Sequence, residues 1–275
     1  MRLMKYSLKA SAVSLSFAAV LLLLAGASPV QAATLRISAP KVQLELAPGA
    51  STTGEITVEN PTEEDTRVRI YIEDWVYAAG GTGEKIFSPS GTTARSAAGW
   101  ITFSPAEEVL KPFGRTTVRY TIQVPPDAKG AHYAVLFFEA ILGVAKDEEG
   151  VNVLVSGRIG SLFYLEAAGS TVREGRVKEV TLDPPQGNRP LEIKTVFENT
   201  GDTDITVGGN FLVMDTDGQI HARGDLNRIY TFPGTTEPGS TQWVGRLSSG
   251  AYQVLLTYDL GKGKSLVEEK SLTIP

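Results

Sequence analysis

A lysine and a hydroxyl after a glycine, as in Gly263-Lys264-Ser265, are the groups that close a phosphate-binding loop, where backbone amides cradle the phosphates and the lysine neutralises them. That loop also needs a glycine five residues before Gly263, and Tyr258 stands there. The run Asp259 to Lys264 therefore reads as a hairpin turn. Asp215-Thr216-Asp217-Gly218 opens like a calcium loop, but its glycine comes fourth instead of sixth, and the twelfth place, which needs a bidentate glutamate, is Leu226. This too reads as a hairpin turn, from the Asp-Gly pair. The two histidines, His132 and His221, sit beside predicted strand starts and outside any nucleophile or metal motif. Glu73-Asp74 next to Trp75 would suit carboxylates under a sugar-stacking ring. No motif places a second acid, so Trp75 reads as the central buried aromatic of a β-sandwich, and Trp100, beside Ile101 and Phe103, as core. The sequence has no cysteine, which removes disulfides, thiolate zinc sites and thiol nucleophiles. These readings predict a non-enzymatic protein with no cofactor and no metal.

Two other patterns point to binding. Arg115 and Arg119 are an even number of residues apart on a predicted strand, so their side chains share one face. They serve either as solvated partners of acids on the next strand or as a small positive patch for a carboxylate or phosphate of a partner. The run Val151 to Ala168 alternates at Val151, Val153 and Val155, then continues with Ile159 and Leu162 after a slip expected at Gly157. One reading is an ordinary last strand with its valines inward. The other is an edge strand whose backbone accepts a strand from another chain while the valines fill the partner's groove. Asp147-Glu148-Glu149-Gly150 reads as an exposed, flexible approach to that strand.

Elements that could position these residues are legible along the chain. Of 275 residues, 42% are hydrophobic, enough to bury a core, and the formal charge is −5. Arg2, Lys5 and Lys9 precede an apolar run from Ala10 through Leu24, and Val30-Gln31-Ala32 follows. This reads as a secretory signal peptide cleaved after Ala32, with a retained anchor as the alternative. Removing three basic residues leaves a mature chain near −8, a surface that repels nucleic acid and anionic lipid. The expected location is the periplasm or the extracytoplasmic cell envelope, without membrane insertion after cleavage.

From Thr34 the apolar residues follow period two, as in Val42, Leu44, Leu46 and Ile56, Val58, broken by turn signals such as Asn60-Pro61, Gly80-Gly81 and Pro125-Pro126-Asp127. Helices should be short or absent. A repeat runs through the pattern. Val58-Glu59-Asn60-Pro61-Thr62 is echoed by Val196-Phe197-Glu198-Asn199-Thr200, and Gly130 to Leu136 by Gly250 to Leu256. The interval from Asn60 to Tyr133 exceeds that from Asn199 to Tyr252 by 20 residues. The excess is expected between Tyr77 and Ala98, as a long hairpin or mobile loop. The prediction is all-β: tandem sandwiches over residues 33–169 and 170–275, after a signal peptide of residues 1–32.

Four stretches resemble the periplasmic pilus chaperones, the PapD-like proteins with two immunoglobulin-like domains. They are Val58-Glu59-Asn60-Pro61, Phe103-Ser104-Pro105 with Leu110-Lys111-Pro112 and Val118-Arg119-Tyr120, Tyr133 to Glu139, and Val151 to Ala168. The resemblance implies a two-domain immunoglobulin-like fold that holds a pilin-like or surface β-rich subunit by donating a strand, Val151 to Leu162, at a cleft between the domains. Arg119 matches a basic residue common in the family's corresponding strand.

The family fixes its subunit's terminal carboxylate with an Arg on the first strand and a Lys after the donor strand. Those places fall here near Gln43 or Leu44 and at about Ser170, none of them basic. Arg36, Lys41, Arg158 and Arg173 are the stand-ins among which spacing does not choose. The expected partner-binding residues are Val151, Val153, Val155, Ile159, Leu162, Arg115 and Arg119. The expected function is a chaperone-like or assembly factor for a secreted β-rich subunit. The competing one is an envelope scaffold or adhesion module binding wall polymer or a surface protein through the Tyr77 to Ala98 loop.

Overall fold

The computed structural model of the chain describes residues 35–146, 150–187 and 189–275. The expected signal segment and the acidic residues Asp147, Glu148 and Glu149 lie outside these. The first half contributes β1 (Arg36–Ile37), β2 (Lys41–Leu46), β3 (Ser51–Glu59), β4 (Thr66–Tyr77), β5 (Lys85–Pro89), β6 (Ile101–Ser104), β7 (Glu107–Leu110), β8 (Arg115–Gln123), β9 (Ala131–Lys146) and β10 (Asn152–Ala167). The second contributes β11 (Gly175–Asp183), β12 (Leu191–Asn199), β13 (Ile205–Asp215), β14 (Ile220–Asp225), β15 (Ile229–Thr231), β16 (Thr236–Trp243), β17 (Gly250–Gly261) and β18 (Lys264–Ile274). The helical content among the described residues is one 3-10 turn, Ala98–Trp100.

The fold is all-β, two immunoglobulin-like sandwiches in tandem. In the first, a sheet ordered β1-β3-β8-β6 faces one ordered β2-β10-β9-β4-β5, with β7 on β4. In the second, β11-β12-β16 faces β14-β13-β17-β18, with β15 on β13. Every ladder is antiparallel except that of β2 with β10. Period-two alternation sends Ile56, Val58, Val118 and Ile122 of one sheet against Leu136, Phe138, Phe163 and Leu165 of the other, all buried. At about 1.5–3 kcal/mol for each large apolar side chain taken out of water, such rows are what offset the entropy of ordering the strands.

The repeat has a structural basis. Asn60 and Asn199 end equivalent strands, are fully buried and each hold the turn that follows. Asn60 donates to the Glu64 and Lys111 carbonyls (2.7 and 3.1 Å) and accepts from the Thr62 amide (3.0 Å). Asn199 donates to the Thr203 carbonyl (2.9 Å) and accepts from the Gly201 amide (3.0 Å). An amide side chain satisfies donor and acceptor at once, which no apolar residue could do there.

One expectation is corrected. Trp75 is fully buried, but on the face of its sheet that turns away from the first sandwich core. It packs there with Tyr133, Tyr164 and, from the second half, Phe232 (ring centroids 5.3, 4.9 and 5.3 Å). The sheet is thus apolar on both faces along β9, where Ala134, Leu136 and Phe138 enter the core and Tyr133, Val135 and Phe137 the aromatic cluster. The extra residues between Tyr77 and Ala98 form the ordered β4–β5 hairpin and a loop held by Asp74. That buried carboxylate accepts from the Thr93 amide (2.8 Å) and the Ser96 hydroxyl (2.6 Å), a structural task that accounts for its placement beside Trp75. Trp100 stacks on His132 at 4.2 Å, against the core as expected.

Candidate functional site: an open strand edge leading into a cleft

β9 and β10 are sixteen residues long, longer than the sheet that carries them. β4 pairs with β9 only from Val135 to Ala140, so beyond Ala140 β9 and β10 run on as a hairpin, paired only to each other among the described residues. On its other side β10 meets β2 over Leu162 to Ala167 alone. Among the described residues, the edge from Asn152 to Ser161 therefore has no strand beside it. Such an edge presents alternate backbone N–H and C=O groups to any chain that lies along it.

Side-chain direction along β10 is uninterrupted. Its pairing with β9 runs through Gly157 without a slip, and the irregularity opposite Val155 and Ser156 lies in β9, where Leu142 is the extra residue. Val151, Val153, Val155 and Ile159 consequently share the face that, further along, carries Phe163 and Leu165 into the core. The three valines are 55%, 39% and 38% exposed, not inward, while Ile159 packs on the core. Leu162 falls on the opposite face, beside the aromatic cluster, because it lies three positions, an odd number, from Ile159. The expected row is therefore four residues on one face, with Leu162 turned to the other.

Leu162 lines a cleft of about 800 Å³ between the two halves. Its walls carry Lys41, Tyr77, Lys85 and Tyr164 from the first half and Arg228 and Tyr230 from the second, with the carboxylates of Asp204, Asp225 and Asp259 among them. The parallel register places Lys41 opposite Leu162, and its ammonium sits 4.1 Å from the centre of the Tyr164 ring. Among the described residues Lys41 has no carboxylate within ion-pairing distance. Tyr77 and Tyr164 touch through their hydroxyls (3.3 Å); burial pushes the Tyr164 phenol up to about 12 and Tyr77 higher still, so both stay neutral.

The geometry separates the other basic candidates. Arg158 leans over Phe137 (4.0 Å) and donates to Tyr71 and Glu73 (3.2 Å each) on the outer face of the sheet. Arg173 is half-buried, donating to Glu166 (3.0 Å) and the Asp204 carbonyl (2.7 Å). Arg36 lies on the exposed strand β1, paired through its backbone with Glu59. Of the four, Lys41 lines the cleft. Arg115 and Arg119 stand on the other sheet, exposed, against Glu59 (3.9 Å) and Glu55 (2.9 Å) across the ladder, the solvated pairing that their spacing allowed. The structure does not bring them to the β10 edge.

The two halves are joined around the cleft by specific contacts. The Tyr133 hydroxyl donates to the Asp204 carboxylate (3.0 Å) and accepts from the Asp204 amide (2.7 Å). Burial raises the Asp204 carboxyl, opposed by that hydroxyl and by Arg173. Lys262, at the tip of the β17–β18 turn, reaches back to Glu166 (2.8 Å) and Glu45 (3.1 Å). The Gly-Lys-Gly run is thus a hairpin prong, as expected, with its lysine engaged by carboxylates. Asp215 accepts from the Asp217 and Gln219 amides (3.0 and 2.9 Å), the predicted turn, and pairs with His221 (2.7 Å). Lys85, Arg228 and Tyr230 escaped sequence reasoning, since no local pattern announces residues that meet across two domains.

No known protein-family model matches the chain, and no curated protein does. Solved structures of similar shape include a chain from a study of a chaperone–tip adhesin complex in CFA/I fimbriae biogenesis (14% identity, 86% of this chain and 99% of that one, TM-score 0.47). A class 5 fimbrial chaperone, CfaA, gives 15%, 88%, 100% and 0.45. The CsuC–CsuE chaperone–tip adhesion subunit pre-assembly complex of Acinetobacter baumannii gives 15%, 86%, 98% and 0.41. None of these three exceeds a TM-score of 0.47, and the functional reading rests on the residues of this chain.

Proposed function

We propose that this protein is an envelope chaperone or assembly factor that holds a β-rich subunit by strand addition along Asn152 to Ser161. The observation that carries the reading is the coincidence, on one strand, of an edge from Asn152 to Ser161 that has no strand beside it among the described residues and the exposed side chains of Val153 and Val155, with exposed Val151 just before the strand. A strand added there would gain main-chain hydrogen bonds worth about 0.5–1.5 kcal/mol each and would cover three apolar side chains. The sequence boundaries at residues 32 and 169 belong to the same proposal: an exported protein of two domains, without catalysis.

The topology also gives the guest a direction. β2 occupies the same lane beside β10 and begins at Lys41, with the Leu162 amide donating to the Pro40 carbonyl (3.0 Å). A guest strand parallel to β10 ends where β2 begins, so its terminal carboxylate arrives next to the Lys41 ammonium. An antiparallel guest would bring its amino terminus to a lysine instead, which like-charge repulsion disfavours. Lys41 is accordingly assigned as the carboxylate anchor that the resemblance implied.

The test is to isolate the mature protein from its native envelope under mild conditions and identify what accompanies it by mass spectrometry. A single small β-rich subunit near one-to-one stoichiometry supports the reading. Recovery with wall polymer, or with several unrelated surface proteins, overturns it.

A further inference from the structure

The hairpin between β4 and β5 supplies an inference about the cleft itself. Its tip is rich in glycine, Gly80-Gly81-Thr82-Gly83, and Gly80, Gly81 and Gly83 all have positive φ (105°, 68° and 82°). The Ala78 amide closes the loop on the Glu84 carbonyl (2.8 Å). The tip does not end in solvent but lies on the second sandwich. The Gly80 amide donates to the Glu237 carboxylate (2.7 Å), and the Tyr230 amide donates to the Gly81 carbonyl (3.0 Å). A Cβ on Gly81 would stand 2.4 Å from the Pro238 carbonyl oxygen and 3.0 Å from Ile229, and one on Gly83 would stand 2.7 Å from the Tyr230 ring. Bare backbone is therefore required at the contact as well as in the turn.

The base of this hairpin and its seat are also walls of the cleft. Tyr77 and Lys85 rise from the hairpin strands, Tyr230 and Arg228 from the second half, and the Tyr77 and Tyr230 rings lie 5.5 Å apart. Lys85 donates to the Gly83 carbonyl (3.0 Å), tying the wall to the tip. The hairpin tip belongs to the twenty-residue excess of the first sandwich over the second. Glu237, its acceptor, is buried, so the contact is desolvated and not a passing surface touch.

The geometry points to the β4–β5 hairpin tip as an interdomain latch: seated on Glu237, Pro238 and Tyr230, it fixes the opening of the cleft on the side of Lys85 and Arg228. The latch acts on the relative position of the two sandwiches whichever guest the cleft receives, so it does not depend on the strand-addition reading. The Tyr133–Asp204 hydrogen bonds, Phe232 packed on Trp75 and Tyr133, and the Lys262 prong on Glu45 and Glu166 still join the halves without it, so losing the latch loosens the cleft rather than separating them.

The experiment compares wild-type protein with Gly81→Val, which cannot seat, and Glu237→Ala, which removes the acceptor and leaves the hairpin sequence intact. Hydrogen exchange at the Tyr230 amide and small-angle scattering are the readouts, with the Val254 and Leu256 amides in the centre of the second sandwich as the folding control. Both variants are expected to speed Tyr230 exchange at least tenfold and to raise the maximum dimension and flexibility in scattering, with the control amides unchanged. If Gly81→Val does not fold, Glu237→Ala decides. Wild-type Tyr230 protection and a wild-type scattering curve in a folded Glu237→Ala protein overturn the latch. Neither readout involves a guest, so failure of the strand-addition reading would leave both where they are.

Discussion

Replacing Val153 offers the sharpest view of the β10 edge, because the residue is 39% exposed in the isolated protein and would become covered in the complex. Truncation to alanine removes two carbons, about 1.6 kcal/mol when fully buried at about 0.8 per group. Only the exposed share changes on binding, so Val153→Ala should cost about 0.6 kcal/mol of affinity, about threefold. Applying the same arithmetic to all three valines, whose exposures are 55%, 39% and 38%, the triple alanine variant should lose about 2 kcal/mol, roughly 30-fold. Val153→Asp goes further, since its carboxylate would be desolvated in the guest's groove without a counter-charge; a loss of at least about 3 kcal/mol, beyond 100-fold, is expected. The same substitution should cost the free protein only about 1 kcal/mol, a fall of roughly 2–4 °C in Tm, because the hairpin there lies beyond the sandwich. The assay is a binding titration against the co-purified subunit with thermal unfolding measured on every variant. Asn152→Asp adds the same charge on the opposite face and should bind as wild type. A folded Val153→Asp protein that binds within threefold of wild type, or equal losses for Asn152→Asp and Val153→Asp, would refute the assignment of the valine row.

The remaining expectations concern the anchor, the turns and pH. Lys41→Ala should weaken a guest with a free terminal carboxylate by about 10–100-fold, the range of a charge-assisted hydrogen bond, and leave a C-terminally amidated guest peptide untouched; equal losses for both would remove Lys41 from the anchor. Asn199→Ala takes its donor from the Thr203 carbonyl, while the Gly201 amide keeps the Glu174 carbonyl, so unfolding by denaturant should show a loss of about 1–3 kcal/mol, against less than about 0.5 for an exposed position. The Asp204 carboxyl is raised by burial, so its contribution to stability is full below the unfolded value and lost as pH rises through the folded one. Asp204→Asn should therefore gain on wild type between pH 3.5 and pH 7 in urea unfolding, and a difference between the two proteins that shrinks over that range would reverse the sign.

Much of the fold was legible because β structure writes itself locally. Period-two alternation marked the strands, and Asn-Pro, Asp-Gly and Gly-Lys-Gly marked turns that exist where expected. The repeat around Asn60 and Asn199 was legible for a stronger reason, since a buried amide that satisfies a turn on both sides has few substitutes. The valine row could be seen as a row, but whether it faced a core or solvent was decided by the tertiary structure, which leaves the three valines 55%, 39% and 38% exposed.

What alternation could not decide was which face looks where. Along β4, β9 and β10 both faces are buried, so Trp75 and Leu136 carry the same apolar signature while one meets Phe232 and the other the first core. Leu162 stands across the sheet from Ile159 because their separation is odd, and the slip expected at Gly157 is absent from β10: the extra residue lies in β9, and a bulge is placed by the pairing of two strands and not by either one. Lys41 became the candidate anchor only when the parallel register with Leu162 set it in the cleft. The hairpin glycines became a seat only when Pro238 and Tyr230 arrived from about 150 residues away in sequence. The sequence by itself determined the strands, the turns and their duplication, because those depend on near neighbours; the cleft, its cation and its latch were decided by tertiary structure, because each is a meeting of residues that carry no knowledge of one another along the chain.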